Sequence, residues 1–103
     1  MPDQVVSIEP TPVVYRQNVK LRYRGSLFEQ GKQRIYAHAG YGSPDAWQNV
    51  ADYPMERGTQ GFETTIAITN DSRLNVCFHD GYGQWDNNGG HNWSWEIHNG
   101  NLY

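Results

Sequence analysis

Apolar residues in this chain recur at every second position over several short stretches, and no stretch has the three-to-four-residue spacing of a helix. Val19, Leu21 and Tyr23 alternate with Lys20 and Arg22. Phe62, Thr64, Ile66 and Ile68 share one side of a second stretch. Leu74, Val76 and Phe78 alternate with Asn75, Cys77 and His79, and Trp93, Trp95 and Ile97 alternate with Ser94, Glu96 and His98. Period two sets one row of side chains against an interior, so each stretch reads as a half-buried strand. Val13 to Tyr15 reads as an edge strand, and Ile35 to Ala39 as a strand returning from a turn at Glu29-Gln30-Gly31-Lys32. Asn70-Asp71-Ser72 supplies a further turn. Short strands cut by turn clusters predict an all-β fold, an immunoglobulin-like antiparallel β-sandwich. Residues 1–12, with Pro2, Pro10 and Pro12, read as an N-terminal arm or linker. Residues 13–103 then form a single domain, with length for one core.

Two segments fall outside the alternation, Gly40 to Pro54 and Gly81 to Gly90. Both are read as long loops, rich in aromatic and amide side chains that a tight connector does not need. The apolar fraction is 37%, yet aromatics make up 14% with four Trp and seven Tyr, more large rings than a thin core is expected to bury. A net charge of −3 without a basic run argues against nucleic acid, whose binding depends on neutralised phosphates. One cysteine, Cys77, precludes an internal disulfide and a Cys-based zinc site; it reads as a small filler in a second apolar layer. His79, His91 and His98 lack metal-ligand spacing, and Asp80, Asp86, Asn87 and Asn88 read as turn-forming rather than calcium-binding, so no metal or cofactor is expected. No apolar run is long enough for a bilayer and no export signal follows Met1, so no membrane partner is expected.

Sugars offer apolar C–H faces and a rim of hydroxyls. The segment from Asp80 to Trp93 carries groups for both: Trp85 for the faces, and Asp86, Asn87, Asn88, His91 and Asn92 for the rim. Trp47 lies in an equally polar setting in the first loop. Trp93 and Trp95 share a face with Ile97 and are assigned to the core. Tyr41 and Tyr82 read either as rim contacts or as packing, and a lone strand histidine such as His38 is more often structural.

The run Phe78, Asp80, Gly81, Trp85, Asp86, Asn87, Asn88, Asn92 and Trp93 resembles carbohydrate-binding module family 25, starch-binding modules often attached to amylases. Tyr36-Ala37-His38, then Trp47, then Pro54-Met55 extend the resemblance, which covers roughly Val13 to His98. It implies that His38, Trp47 and Trp85 form an aromatic platform under two or more consecutive glucose units, with Asn88, Asn92 and Asp86 as the nearby polar group. The function so implied is non-catalytic binding, by a monomer, of α-1,4-linked glucan such as starch, glycogen or malto-oligosaccharide. Two other readings are a protein-interaction domain on the same scaffold and a glycosidase using two of Asp80, Asp86 and Glu96. If Met1 is the natural start, the ligand is an intracellular storage glucan; if the chain is an excised module, its parent is a secreted amylase.

Overall fold

The computed structural model describes residues 5–99. The strands are β1 (Val6–Glu9), β2 (Val13–Val14), β3 (Asn18–Tyr23), β4 (Tyr36–Ser43), β5 (Ala46–Pro54), β6 (Glu56–Gly58), β7 (Gly61–Ala67), β8 (Arg73–His79), β9 (Trp85–Asp86) and β10 (Trp93–His98). A one-turn helix, α1 (Ser26–Glu29), follows β3. They form two sheets, one ordered β1-β3-β7-β6 and the other β2-β10-β8-β4-β5, with β9 also paired to β8. In immunoglobulin strand letters these orders read A-B-E-D and A′-G-F-C-C′, the latter carrying the extra strand typical of the variable type. The all-β sandwich is therefore present. Every pairing is antiparallel except β2 with β10, which is parallel where the chain passes from one sheet to the other.

The alternation read from the sequence maps onto burial. Val19, Leu21 and Tyr23 of β3 are buried while Lys20 and Arg22 are not. Facing them across the sandwich are Leu74, Val76 and Phe78 of β8, and Ile66 and Phe62 of β7 complete the centre. The Tyr23 ring stacks on Phe78 from the opposite sheet, with centroids 4.2 Å apart, and Trp93 meets both edge-on. Trp93 and Trp95 are partly buried against this core, as expected. β8 is central and buried on both faces, including Asn75 and Cys77. Asn75 is satisfied there by the Gly42 carbonyl and the Ser94 hydroxyl.

Several expectations give way. The segment read as an arm contributes β1, whose Val6 and Ile8 join the core and whose backbone pairs with β3. The first long loop is mostly strand: β5 pairs with β4 through Ala51 to Pro54 and again through Ala46 to Gln48. Ser26 to Phe28, without an assigned element in the sequence reading, and Glu29, read as the start of a turn, form α1, one turn too short to show helical periodicity. The second loop is partly structured by β9 and a 3-10 turn, Asn88–Gly90. Tyr41 is buried packing, its hydroxyl donating to the Ala67 carbonyl and accepting from Thr69 N–H.

Candidate functional site

Residues directly opposite one another on paired strands point to the same face of a sheet. On β4, Tyr36 pairs with His79 of β8, and His38 with Cys77 of β8 and Asp52 of β5. Trp85 of β9 pairs with His79. Tyr36, His38, Asp52, Cys77, His79 and Trp85 thus share the outer face of the larger sheet.

Trp47 joins them through an irregularity. Asp52 and Trp47 are an odd number of residues apart, so on a regular strand they would face opposite ways. Between Ala39 and Tyr41 the register shifts: Ala39 pairs with Ala51 but Tyr41 with Gln48, leaving Asn49 and Val50 opposite Gly40 alone. Asn49 takes φ 53, and the bulge it begins reverses the alternation. Trp47 then pairs with Gly42 and lands on the His38 face. Gly40 makes room for it. A Cβ there would meet Trp47 Cβ and Val50 Cγ2 at 2.9 Å each and Trp47 Cε3 at 3.2 Å. The indole Nε1 donates to the Pro44 carbonyl at 2.9 Å, which orients the ring.

The rings form a connected set. His38 lies 5.9 Å from Trp47 at an interplanar angle of 34° and 5.1 Å from Trp85 at 89°. His79 stacks under Trp85, centroids 4.4 Å apart and 28° from parallel, and Tyr36 stacks on His79 at 5.2 Å. Trp85 remains 50% exposed. Asp52 Oδ1 joins the two histidines, 2.7 Å from His38 Nδ1 and 2.9 Å from His79 Nε2. Burial pushes the Asp52 carboxyl upward, but the hydrogen bonds from His79 and His38 and their charge outweigh it, and its pKa is lowered overall. Cys77, beneath, has its thiol pushed up to about 11, chiefly by burial and then by the Asp52 and Asp86 charges, which fits an inert filler.

The second loop is held by its own polar groups. Asp80, only 4% exposed, accepts the Tyr82 and Gln84 N–H groups through Oδ1 and pairs with Lys32 Nζ at 3.2 Å through Oδ2. Tyr82, on the turn so formed, is 88% exposed. Asp86 points inward from β9, accepting the Tyr23 hydroxyl at 2.6 Å. Asn87 accepts from Gly90 N–H, and Asn88 donates its side-chain amide to the Asn92 carbonyl at 3.0 Å. Asn88 and Asn92 each adopt φ 58, a conformation asparagine tolerates. The structure therefore unites His38, Trp47 and Trp85 through the His38 ring. Asn88 and Asn92 are joined to each other in the adjoining turn.

Asp52, His79 and the supporting role of Tyr36 escaped the sequence reading. Asp52 falls in a segment whose sequence reads as a loop, and only the strand register brings it to His38. His79 carried a usable signal, its position at the end of a strand two residues from Cys77, but it was weighed only as a metal ligand in sequence spacing.

One group of side chains could be taken for a metal centre: the nearest ligand atoms of His38, Asp52 and His79 lie within 4.8 Å of one another. The outer contacts argue otherwise. A metal-bound histidine ordinarily donates its second N–H to an acceptor. His79 Nδ1 instead accepts the Gly81 N–H at 3.1 Å, so its proton sits on Nε2, the nitrogen a metal would need.

A small two-sheet sandwich with a run of aromatic rings on one sheet face can offer them to the apolar faces of a sugar, and the family comparison gives a carbohydrate-binding class. The starch/carbohydrate-binding module (family 53) matches residues 19–78, more than half of the chain, and the chain belongs to that family. The match supports a carbohydrate-binding module and not the family 25 assignment. It includes His38 and Trp47 and ends before Trp85. No curated protein and no solved structure matches.

Proposed function

We propose that the protein is a non-catalytic, monomeric binder of α-1,4-linked glucan, with Trp47, His38 and Trp85 lying under consecutive glucose units. The observation that carries this is the setting of Trp85. One face of its indole rests on His79 while half its surface stays open, and the neighbouring rings turn by successive angles. A curved α-glucan fits rings set at angles; a flat ribbon glucan such as cellulose fits a coplanar strip. Asn88 and Asn92 flank the platform as candidate hydroxyl partners. The carboxylates a glycosidase would need favour binding over hydrolysis: Asp80 and Asp86 are engaged with the turn and with Tyr23, and Glu96 lies on β10.

If each indole covers on the order of 100 Å² of apolar surface, it contributes about 2.5 kcal/mol. Two rings, less the cost of association and ordering, give roughly micromolar to millimolar affinity. Retention on insoluble starch, with cellulose as control, tests the proposal. The intact protein should be held by starch and not by cellulose. Trp47→Ala and Trp85→Ala should each be released while melting cooperatively; starch retention unchanged in both would remove the platform.

A further inference from the structure

Asp52 Oδ1 can only accept hydrogen bonds, since the carboxyl is held ionised by its neighbours. His38 must therefore carry its proton on Nδ1, 2.7 Å away, and His79 on Nε2, 2.9 Å away. For His79 the assignment is independently enforced, because Nδ1 accepts the Gly81 N–H. In the neutral form of His38 it leaves Nε2 with a free lone pair. That nitrogen has no partner among the described residues, and no buried side-chain nitrogen or oxygen there lacks one, so Nε2 must reach solvent. It does so from a ring lying between Trp47 and Trp85.

We infer that Asp52 is a positioning residue for the ring cluster: by fixing the protons of His38 and His79 it makes the rings display one acceptor nitrogen, His38 Nε2, to a hydroxyl donor of the ligand. The inference rests on the glucan-binding reading above for the identity of that donor. It deepens that reading, because a platform of rings alone recognises an apolar face of any sugar of suitable shape. An acceptor fixed between two indoles requires a hydroxyl at one place over the rings. The same carboxylate sets the tilt of His79, and His79 is the surface on which Trp85 rests. Asp52 thus orders both the polar and the stacking parts of the site through the two histidines.

Imidazole nitrogen shifts of the ligand-free protein, recorded at about pH 8, above the ordinary histidine range, test this directly. His38 should be protonated on Nδ1, against the Nε2 preference of an unconstrained neutral imidazole, and His79 on Nε2. In Asp52→Ala the His38 proton should move to Nε2, and affinity for maltoheptaose should fall about fivefold to tenfold. Asp52→Asn, which keeps an oxygen acceptor, should recover most of both. A His38 protonated on Nε2 in the unaltered protein overturns the inference. So does an Asp52→Ala protein with unchanged tautomers and affinity, or a one-to-one shift of both rings' nitrogens by added Zn²⁺. Should Asp52→Ala not fold, the tautomers of the unaltered protein and of Asp52→Asn decide the matter. Failure of the unaltered protein to bind maltoheptaose would instead sink the glucan reading, since the tautomers are measured without sugar.

Discussion

At the scale of single residues, the bond between Tyr23 and Asp86 ties the ring-bearing loop to the core. The Tyr23 hydroxyl donates to Asp86 Oδ2 and accepts the Leu27 N–H at 3.0 Å, serving the loop and α1 together. Burial, and then the hydrogen bond to Asp86, push its pKa well above the usual phenol range, so the donor is permanent at any ordinary pH. Tyr23→Phe would leave a buried N–H without its acceptor and Asp86 Oδ2 with the longer 3.4 Å approach of Ser26, while Oδ1 keeps the Asn88 N–H. The expected cost is about 1–3 kcal/mol in urea denaturation, with weaker starch retention as β9 loosens. Gly25→Ala should act on the same bond by crowding. Its Cβ would meet Tyr23 Cε1 at 2.6 Å and Asp86 Oδ2 at 2.7 Å.

At the scale of elements, the bulge in β5 decides which way Trp47 faces. Deleting Asn49 would place Trp47 four residues from Asp52, restore a one-to-one ladder with β4 and leave Trp47 opposite Gly42 on the His38 face. The variant should keep a cooperative melt, because β5 is an edge strand whose side chains are nearly all exposed. It should also keep starch retention near that of the unaltered protein, and Trp47→Ala in that shortened strand should abolish it. Loss of retention as complete as in Trp47→Ala would show that the bulge does more than correct the alternation. The same strand shows where sequence reading stops. β3, β7, β8 and β10 each bury one row of apolar side chains against the core, and the period-two pattern makes them legible. β5 buries almost nothing, so its residues carry no pattern; it is a strand because β4 offers a ladder. β1 was masked by the prolines around it. His38, Trp47 and Trp85 were found from residue type and family resemblance. Asp52 and His79 become neighbours of His38 only through register, which one sequence does not encode locally.

At the scale of the whole molecule, two carboxylates link stability to acidity. For Asp80 the hydrogen bond from Tyr82 N–H outweighs desolvation, and Gln84 N–H and Lys32 add to it; the pKa lies below its ordinary 3.8. Asp52 is lowered as well. A carboxyl with a lower pKa in the folded state contributes stability that is full above its unfolded value and is lost as pH falls through the folded one. The melting temperature should therefore vary little with these groups above about pH 5 and drop steeply below about pH 4. Asp80→Asn should melt lower at neutral pH and show a shallower acid slope. An acid slope identical to that of the unaltered protein would exclude Asp80 as a source. Asp52, half exposed and screened by solvent, should add less.

The Tyr23–Asp86 bond also has a mechanical side. β9 is only two residues long and holds to β8 by a short ladder, a geometry that peels open one bond at a time under tension. Asp86 fastens the same two residues to β3 in the opposite sheet. A pull on Trp85 would thus load both sheets at once.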